Sequence, residues 1–599
     1  MRILFDSQNP IFKLPFGTVS QGQECVLHIH IPTAVGAVKV ECVIDLHDGS
    51  DICVATLEKV STEGLYDIFG GSFSLSEPGL YFYYFRIYKA DGSFRLYKQG
   101  NNTNMEAGDL WQLTCTPTDF TTPDWAKGAI IYQIFPDRFY KSGGPDLTDK
   151  MQPYTVHEDW YEDVKWQPDE NGKILNNDFF GGNFQGITEK MDYIASFGTE
   201  ILYLNPISKS FSNHRYDTGD YKIPDPMLGS LEDFKAMCDA AHERGIKVIL
   251  DGVYSHTGSR SPYFQSACES PDSPYYSWYT FYQYPHKYNS WWGFDTLPTV
   301  NKSDPAFLNY IIDAADSVVA HWLRLGADGF RLDVVDELPD EFVSRLKKRI
   351  RQIKPDALLL GEVWEDASNK ISYNVRRRYF VDGELDSCMN YPFRTAILNF
   401  AKDIDDGHSF KETVMTIAEN YPPQVLLCNM NLLSTHDTPR ILTALVDDFE
   451  GSRAEYANRK LSPHQREQAK KLFMLSAFLQ YTLPGSPSIY YGDEAGMEGH
   501  KDPFNRRTYP WGKEDTELIA CFKGLGRLRR NNPALQLGDI RFFCAQDGKI
   551  GFSRTYAGQE LKIYANRSGT PWEIPTGKVV YACNLSDRLN PMGYCIMED

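Results

Sequence analysis

Apolar and polar positions change rhythm twice along this chain. Up to residue 120 the rhythm is partly of period two. Val26-Leu-His-Ile-His-Ile31 and Val38-Lys-Val-Glu-Cys-Val43 alternate, and Gly79-Leu-Tyr-Phe-Tyr-Tyr-Phe-Arg-Ile-Tyr88 is a long aromatic run that Asp91-Gly92 turns into Phe94-Arg-Leu-Tyr97. This predicts an N-terminal β-sandwich over 1–120. His28 and His30 share one strand face, but two histidines without further ligands read as structural. Thr121-Thr-Pro-Asp-Trp125 reads as a linker.

Over 126–515 strands alternate with helices, the signature of a parallel α/β fold. Ser230 caps a helix with Leu231, Phe234, Cys238 and Ala241 on one stripe, Gly245 ends it, and Lys247-Val-Ile-Leu-Asp251 is a buried strand. Ser303-Asp-Pro305 starts a helix with Phe307, Ile311, Val318 and Trp322 inward, which ends near Gly326 before Gly329-Phe-Arg-Leu-Asp333. Leu338-Pro-Asp340 opens another, bearing Phe342, Leu346, Ile350 and Ile353, ahead of Leu358-Leu-Leu-Gly-Glu362. Further strands are expected at 130–134, 201–204, 385–390, 431–433 and 488–491. Eight such strands predict a closed (β/α)8 TIM barrel, with a loop excursion at about 254–302 after strand three. An open doubly wound sheet is the alternative, but no G-x-G-x-x-G follows the first strand. Over 520–599 short strands return at 551–556, 561–564 and 578–581, which predicts a small C-terminal β-domain.

The 599 residues carry 61 Lys and Arg against 80 Asp and Glu, a net charge of −19. Phosphate neutralisation needs a basic face, so neither nucleic acid nor an anionic membrane is an expected partner. Aromatic residues make up 14%, which suits sugar faces but mostly reflects cores. The start, Met1-Arg-Ile-Leu-Phe-Asp6, turns polar at once, no run has the length of a membrane span, and the 12 cysteines include no C-x-x-C pair. Reduced thiols in the cytoplasm are the expectation.

Acids fall at informative places. Asp251, Asp333 and Glu362 each end an apolar strand, and Asp437 lies just past another. In a barrel those ends share the face where active sites form. Asp333 and Glu362 would end strands four and five, and neighbouring strands lie about 4.8 Å apart. Two carboxyls there match the ~5–5.5 Å separation of a retaining glycosidase. Arg331, two residues before Asp333, shares its strand face and is expected to lower its pKa, with Glu362 held protonated.

Asp251-Gly-Val-Tyr-Ser-His256, Gly329-Phe-Arg-Leu-Asp333, Gly361-Glu-Val-Trp364 and Ser434-Thr-His-Asp437 resemble, in order, four signature regions of the α-amylase superfamily, glycoside hydrolase family 13. Tyr132-Gln-Ile-Phe-Pro-Asp-Arg-Phe139, Asn213 to Tyr221 and Pro487 to Glu494 extend the likeness, which is nearest to the neopullulanase, cyclomaltodextrinase and maltogenic amylase branch. The resemblance implies a retaining hydrolase of α-1,4-glucosidic bonds in maltooligosaccharides, cyclodextrins or related α-glucans. Asp333 would be the nucleophile, Glu362 the general acid/base and Asp437 the transition-state stabiliser. His256 and His436 would donate hydrogen bonds to the sugar and Tyr216 would stack on it. Arg331, Trp364, Arg440 and Asp251 complete the expected substrate site, Asp251 more by ordering it than by touching the chemistry.

Ser255 stands where many members of the superfamily have a calcium-binding Asn, Asn183 where this branch has Asp, and Lys141 where a ligating Asn is expected. A Lys ammonium opposes a hard cation, which argues against the family calcium sites while leaving a structural calcium open, and the chemistry requires no cofactor. The branch also implies an N-terminal module resembling family 34 carbohydrate-binding modules, and a homodimer in which it covers the partner's active-site mouth. Tyr288-Asn-Ser-Trp-Trp-Gly-Phe294 can add aromatic walls, and Leu297-Pro-Thr-Val-Asn301 carries Thr299 where a Lys is usual. An endo-acting α-amylase on starch is the runner-up, although Asp336-Glu337 replaces the Lys-His of many such enzymes. A transglycosylase is the third reading. A non-catalytic binding protein is remote, because all three acids are present together with Arg331 and both histidines.

Overall fold

Eight short apolar runs, buried on both faces, meet edge to edge in the computed structural model, which describes residues 2–46, 51–100 and 102–598. In chain order they are Ile131–Ile134, Ile201–Leu204, Lys247–Gly252, Gly329–Leu332, Leu358–Gly361, Ser387–Cys388, Met430–Leu432 and Ser486–Tyr490. Each pairs in parallel with its sequence neighbour from the first strand to the sixth, and the eighth pairs with both the first and the seventh. A parallel bridge between Met389 and Met430 closes the ring. The expected (β/α)8 barrel is therefore the observed one. Ile131, Ile201, Ile249, Leu358, Leu360, Met430 and Leu432 belong to its core. A Cβ at Gly329 would collide with the Leu358 carbonyl, so a glycine lets strands four and five close beneath the acids they carry.

The helices follow their caps. Ser230 and Asp233 form a capping box at the start of Leu231–His242. Asp340–Ile353 buries Phe342, Val343, Leu346 and Ile350. The single helix expected from Pro305 to Gly326 is instead broken into Pro305–Leu308, a wider turn over Asn309–Asp313 and a second helix Val318–Leu325. Carbonyls freed at the break have side-chain partners. Arg349, from the helix Asp340–Ile353, donates to Ile312 O and Ala314 O, and Arg324, within the segment itself, to Ala315 O. Arg349 carries no signal in the periodicity of the segment it satisfies.

The chain divides into two compact units, one comprising Met1–Thr121, Glu365–Asp386 and Lys411–Leu426 and the other the remainder. In the first unit, strand Asp51–Glu63 pairs through its early residues with Lys39–Leu46 and through its later ones with Tyr66–Ser74. It thereby passes from one layer to the other and makes the expected sandwich. Cys25, Leu27, Ile29 and Ile31 face the core, while His28 and His30 point the other way. Phe5, Tyr83, Phe85 and Trp111 fill the interior with edge and stacked contacts. In the second unit, Asp539–Gln546, Lys549–Tyr556, Gln559–Asn566, Lys578–Leu585 and Leu589–Glu598 form a five-stranded antiparallel sheet at the C-terminus. Its first and last strands went unread in the sequence because polar residues interrupt their alternation.

Candidate active site

Strands four and five align so that Arg331 faces Leu360 and Leu332 faces Gly361. The next residue on each strand is an acid, and both are still held by the last rungs of the ladder. Asp333 N donates to Gly252 O and Glu362 N to Leu332 O, each at 3.1 Å. Both side chains leave adjacent strand ends on the C-terminal face, the geometry anticipated for a retaining pair.

Arg331 sits beneath them, fully buried. Its Nη1 donates to Asp251 Oδ1 at 2.7 Å and to Asp333 Oδ1 at 3.0 Å, and its Nη2 pairs with Glu362 Oε2 at 2.8 Å. One guanidinium thus bridges three carboxyls. Burial alone would make it easier to deprotonate, but Asp251 and Glu362 keep it firmly cationic. Asp251 is a positioning residue: its other oxygen accepts from Tyr203 Oη and Tyr216 Oη, each at 2.8 Å, and its side chain is fully buried. Asp251 is therefore placed to order its neighbours, the role expected of it more than substrate contact.

The charge state of Asp333 also departs from expectation. Burial pushes its carboxyl well above the usual range. Arg331 opposes this, while Glu362, Asp251 and Asp437 add to it. The guanidinium that was to lower Asp333 is shared among three acids, and burial outweighs it.

Asp437 is the most open of the acids, its side chain 31% exposed. His436 Nε2 lies 2.9 Å from its Oδ2 and Arg506 Nη2 donates to its Oδ1 at 3.3 Å. Burial by the surrounding walls works to raise its pKa, but His436 and Arg506 hold it below the ordinary carboxylate range. Gln133 Nε2 lies 3.0 Å from His436 Nδ1, which makes that nitrogen the acceptor and puts the proton on Nε2, towards Tyr216 Oη at 2.6 Å and Asp437. His256 is held neutral by burial. Burial drives its pKa down to about 3, and its Nε2–H faces the Tyr216 carbonyl at 3.1 Å while Ser255 Oγ donates to Nδ1 at 2.8 Å. Tyr216 stacks on His436 with ring centres 5.4 Å apart. Trp364, 47% exposed, donates from Nε1 to Glu362 Oε1 at 3.0 Å and lies flat on Tyr391 at 3.9 Å.

Arg440 does not meet the expectation of substrate contact. It is fully buried, donates to Asn505 O, Tyr491 O and Asp493 Oδ1, and stacks on Tyr490 and Tyr491. The arginine that does reach the mouth is Arg506, whose Nε donates to His436 O at 2.9 Å. Sequence reasoning missed it, because Arg506 sits in the loop after strand eight, outside every motif.

The three positions that oppose calcium have protein partners of their own. Asn183 Oδ1 caps the helix Phe184–Glu189 by accepting from Gly186 N, and its amide donates to Ser142 O. Ser255 Oγ serves His256. The stem of Lys141 packs beside Gly181. Asp146 accepts from Thr148 N and Oγ1.

The family model for the catalytic domain of alpha amylase matches residues 133–530. An amylopullulanase of Thermoanaerobacter thermohydrosulfuricus is 35% identical over 615 residues, covering 92% of this chain and 40% of the relative. Two further amylopullulanases are likewise longer, and the chain spans 48% and 33% of them. A cyclomaltodextrinase of Geobacillus thermopakistaniensis is 32% identical, with 88% of this chain and 85% of the relative covered. Among solved structures, the type III pullulan hydrolase from Thermococcus kodakarensis superposes with a TM-score of 0.70 at 27% identity, covering 100% of both chains. The strand-end acids, the barrel that carries them and these likenesses lead to one conclusion: the chain belongs to the α-amylase family (glycoside hydrolase family 13), in its neopullulanase and cyclomaltodextrinase branch.

Proposed function

We propose that this chain is a retaining glycoside hydrolase acting on α-1,4-glucosidic bonds of maltooligosaccharides, cyclodextrins or related α-glucans. The observation that carries the reading is the register-matched pair Asp333 and Glu362, joined through Arg331. Asp333 attacks the anomeric carbon while Glu362 gives its proton to the departing glycosidic oxygen. The resulting glycosyl ester on Asp333 is then released by a water whose proton returns to Glu362. Attack requires Asp333 ionised and the proton on Glu362; Arg331 Nη1, donating to Asp333 Oδ1, supports charge on the nucleophile against the burial that opposes it. Asp437 stabilises the transition state, and Tyr216, His256, His436 and Trp364 line the substrate site. The chemistry as proposed routes no step through a metal, and Lys141, Asn183 and Ser255 argue against the family calcium sites.

Relatives named amylopullulanase, neopullulanase and pullulan hydrolase support testing pullulan beside the other glucans. We further propose a homodimer formed through the N-terminal β-sandwich, a carbohydrate-binding-module-like domain over 1–120, and a cytoplasmic location. No helix of the described residues is long and apolar enough to cross a membrane. A product time course on maltotriose, a cyclodextrin, pullulan and soluble starch tests the whole reading. The expected result is a higher kcat/KM for maltotriose or cyclodextrin than for starch per chain, from a dimeric protein. A monomer that cuts starch fastest from inside the chain would refute it in favour of an endo-acting α-amylase.

A further inference from the structure

The loop after strand eight, which brings Arg506 to the mouth, is fastened by a segment far from it in the chain. Arg506 itself donates from Nε to His436 O at 2.9 Å and from Nη2 to Asp437 Oδ1 at 3.3 Å. Each of the next three residues is bonded to the segment 157–166, which follows strand one. Arg507 Nε and Nη2 donate to the two carboxylate oxygens of Asp163 at 2.7 and 3.1 Å. Thr508 Oγ1 donates to Trp160 O at 2.5 Å, and Trp160 Nε1 donates to Tyr509 O at 2.8 Å. Val164 and Phe504 share a buried apolar cluster against which Trp160 and Trp166 pack.

The segment is closed on itself through one histidine. Asp178 Oδ2 lies 3.1 Å from His157 Nε2 at one end and accepts from Lys165 N at 3.3 Å near the other. His157 Nδ1 lies 2.9 Å from Glu162 Oε2, and the ring lies flat on Phe180 with centres 4.0 Å apart. Both ring nitrogens therefore meet carboxylate oxygens. A neutral imidazole has one N–H, and its bare nitrogen would face a lone pair, whereas the cation donates on both sides. The arrangement selects the cation. Arg138, from the turn Pro136–Arg138, is a second positive charge nearby, 3.8 Å from the same Asp178 oxygen and 4.8 Å from the Phe180 ring. Burial works against a charge on His157, but Asp178 and Glu162 outweigh it and hold the imidazole above its ordinary value.

Resting on the hydrolase reading above, we propose that His157 is a positioning residue whose cationic form latches segment 157–166 and so seats Arg506 against Asp437. Loss of the proton turns one ring nitrogen from a donor into a lone pair facing a carboxylate. The segment then loosens, and residues 507–509 lose their fastening. The latch is closed at low pH and opens as pH rises through the raised value of the folded state. The effect falls on kcat, because Arg506 touches the acid that serves the transition state.

The test follows the ratio of wild-type to His157→Gln kcat on maltotriose from about pH 6 to about pH 9. Glu362 titrates in both proteins, so its effect cancels in the ratio. The ratio is expected to be about tenfold at the acid end and within about twofold at the alkaline end, with KM within about twofold throughout. Glu162→Gln should move the alkaline opening to lower pH by about one unit, and it carries the same test if His157→Gln does not fold. In an Arg506→Ala background, His157→Gln should cost no further kcat. A ratio that is constant with pH, a loss carried by KM, or an undiminished loss in Arg506→Ala overturns the proposal. Hydrogen exchange over 158–166 and 504–509, referred to an unstructured peptide at each pH, reads the latch without turnover. Protection that falls with pH only when His157 is present, in a protein that hydrolyses no glucan, would sink the hydrolase reading and keep the latch. Hydrolysis with exchange indifferent to His157 would do the reverse.

Discussion

The backbone N–H of Val334 donates to Glu362 Oε2 at 2.8 Å, so the residue after the proposed nucleophile holds the proposed acid. It does so from φ 37° and ψ 57°, a region that costs a β-branched residue about 1–3 kcal/mol. The strain keeps one N–H aimed across two strands. Val334→Gly keeps the donor but frees the backbone. We expect kcat to fall about tenfold with KM little changed. Steady-state kinetics on a chromogenic maltooligosaccharide would show this, and a KM effect at constant kcat would remove the positioning role.

Asp333→Asn, Glu362→Gln and Asp437→Asn should each lower kcat by about a thousandfold or more. The folded pKa of Asp333 is raised, so its ionised form destabilises the fold above the unfolded value, and an amide removes that penalty. The Tm of Asp333→Asn at pH 7 should therefore be held or raised. Asp328 gives the contrast. Its carboxylate binds His242, Lys247, Lys354 and Val248 N, and Asp328→Asn should lower Tm while kcat per folded molecule stays near normal. Near-normal turnover by Asp333→Asn would end the assignment.

Stereochemistry follows from the register of strands four and five. The first sugar released should be the α-anomer, visible by proton NMR before mutarotation. Release of the β-anomer would mean inversion, with a water between the carboxyls.

Acid sensitivity should trace in part to His256. Its folded pKa of about 3 lies below the unfolded value, so below about pH 6.5 the unfolded chain binds the extra proton. Stability from this group is whole above about pH 6.5 and is lost as pH falls towards 3, about 2–3 kcal/mol of it by pH 4.5. His256→Gln should flatten the fall of Tm between pH 6.5 and 4.5. An unchanged slope would show that the imidazole takes up its proton alike in the folded and unfolded states.

Chelation provides the last test, because Asn183 and Ser255 already serve protein partners. EDTA should leave both activity and Tm unaltered. A large drop in Tm restored by calcium alone would show that loop oxygens such as those of Asp146 and Asp149 form a site.

The barrel was legible because most of its strands are short, largely apolar runs, and Asp333 and Glu362 because each ends such a run. The environment of Asp333 was not. Spacing revealed that Arg331 shares its face, but not that Asp251 and Glu362 share the same guanidinium. Arg440 and Arg506 reverse the expected roles for a related reason. A motif marks which residues lie near each other along the chain, whereas these two arginines are sorted by which way a loop turns after the strand. The break at Ala314 was hidden likewise, since Arg349, which donates to two of the carbonyls there, comes from a later helix.

Strands six and seven meet through the Met389–Met430 bridge, and side chains reinforce that edge: Asn390 Nδ2 donates to Asn431 Oδ1, Asn429 Oδ1 accepts from Cys388 N and Ser387 Oγ donates to Cys428 O. Elsewhere the barrel is stitched by continuous backbone ladders. This seam is therefore where a local opening breaks the fewest rungs, and exchange of its amides should run ahead of the other strands. Asp437 lies just beyond strand seven, while Asp333 and Glu362 stand on the well-laddered pair. Breathing at the seam would move the most open acid and leave the other two at rest, which separates the part of the site that makes the bond from the part that adjusts to the sugar.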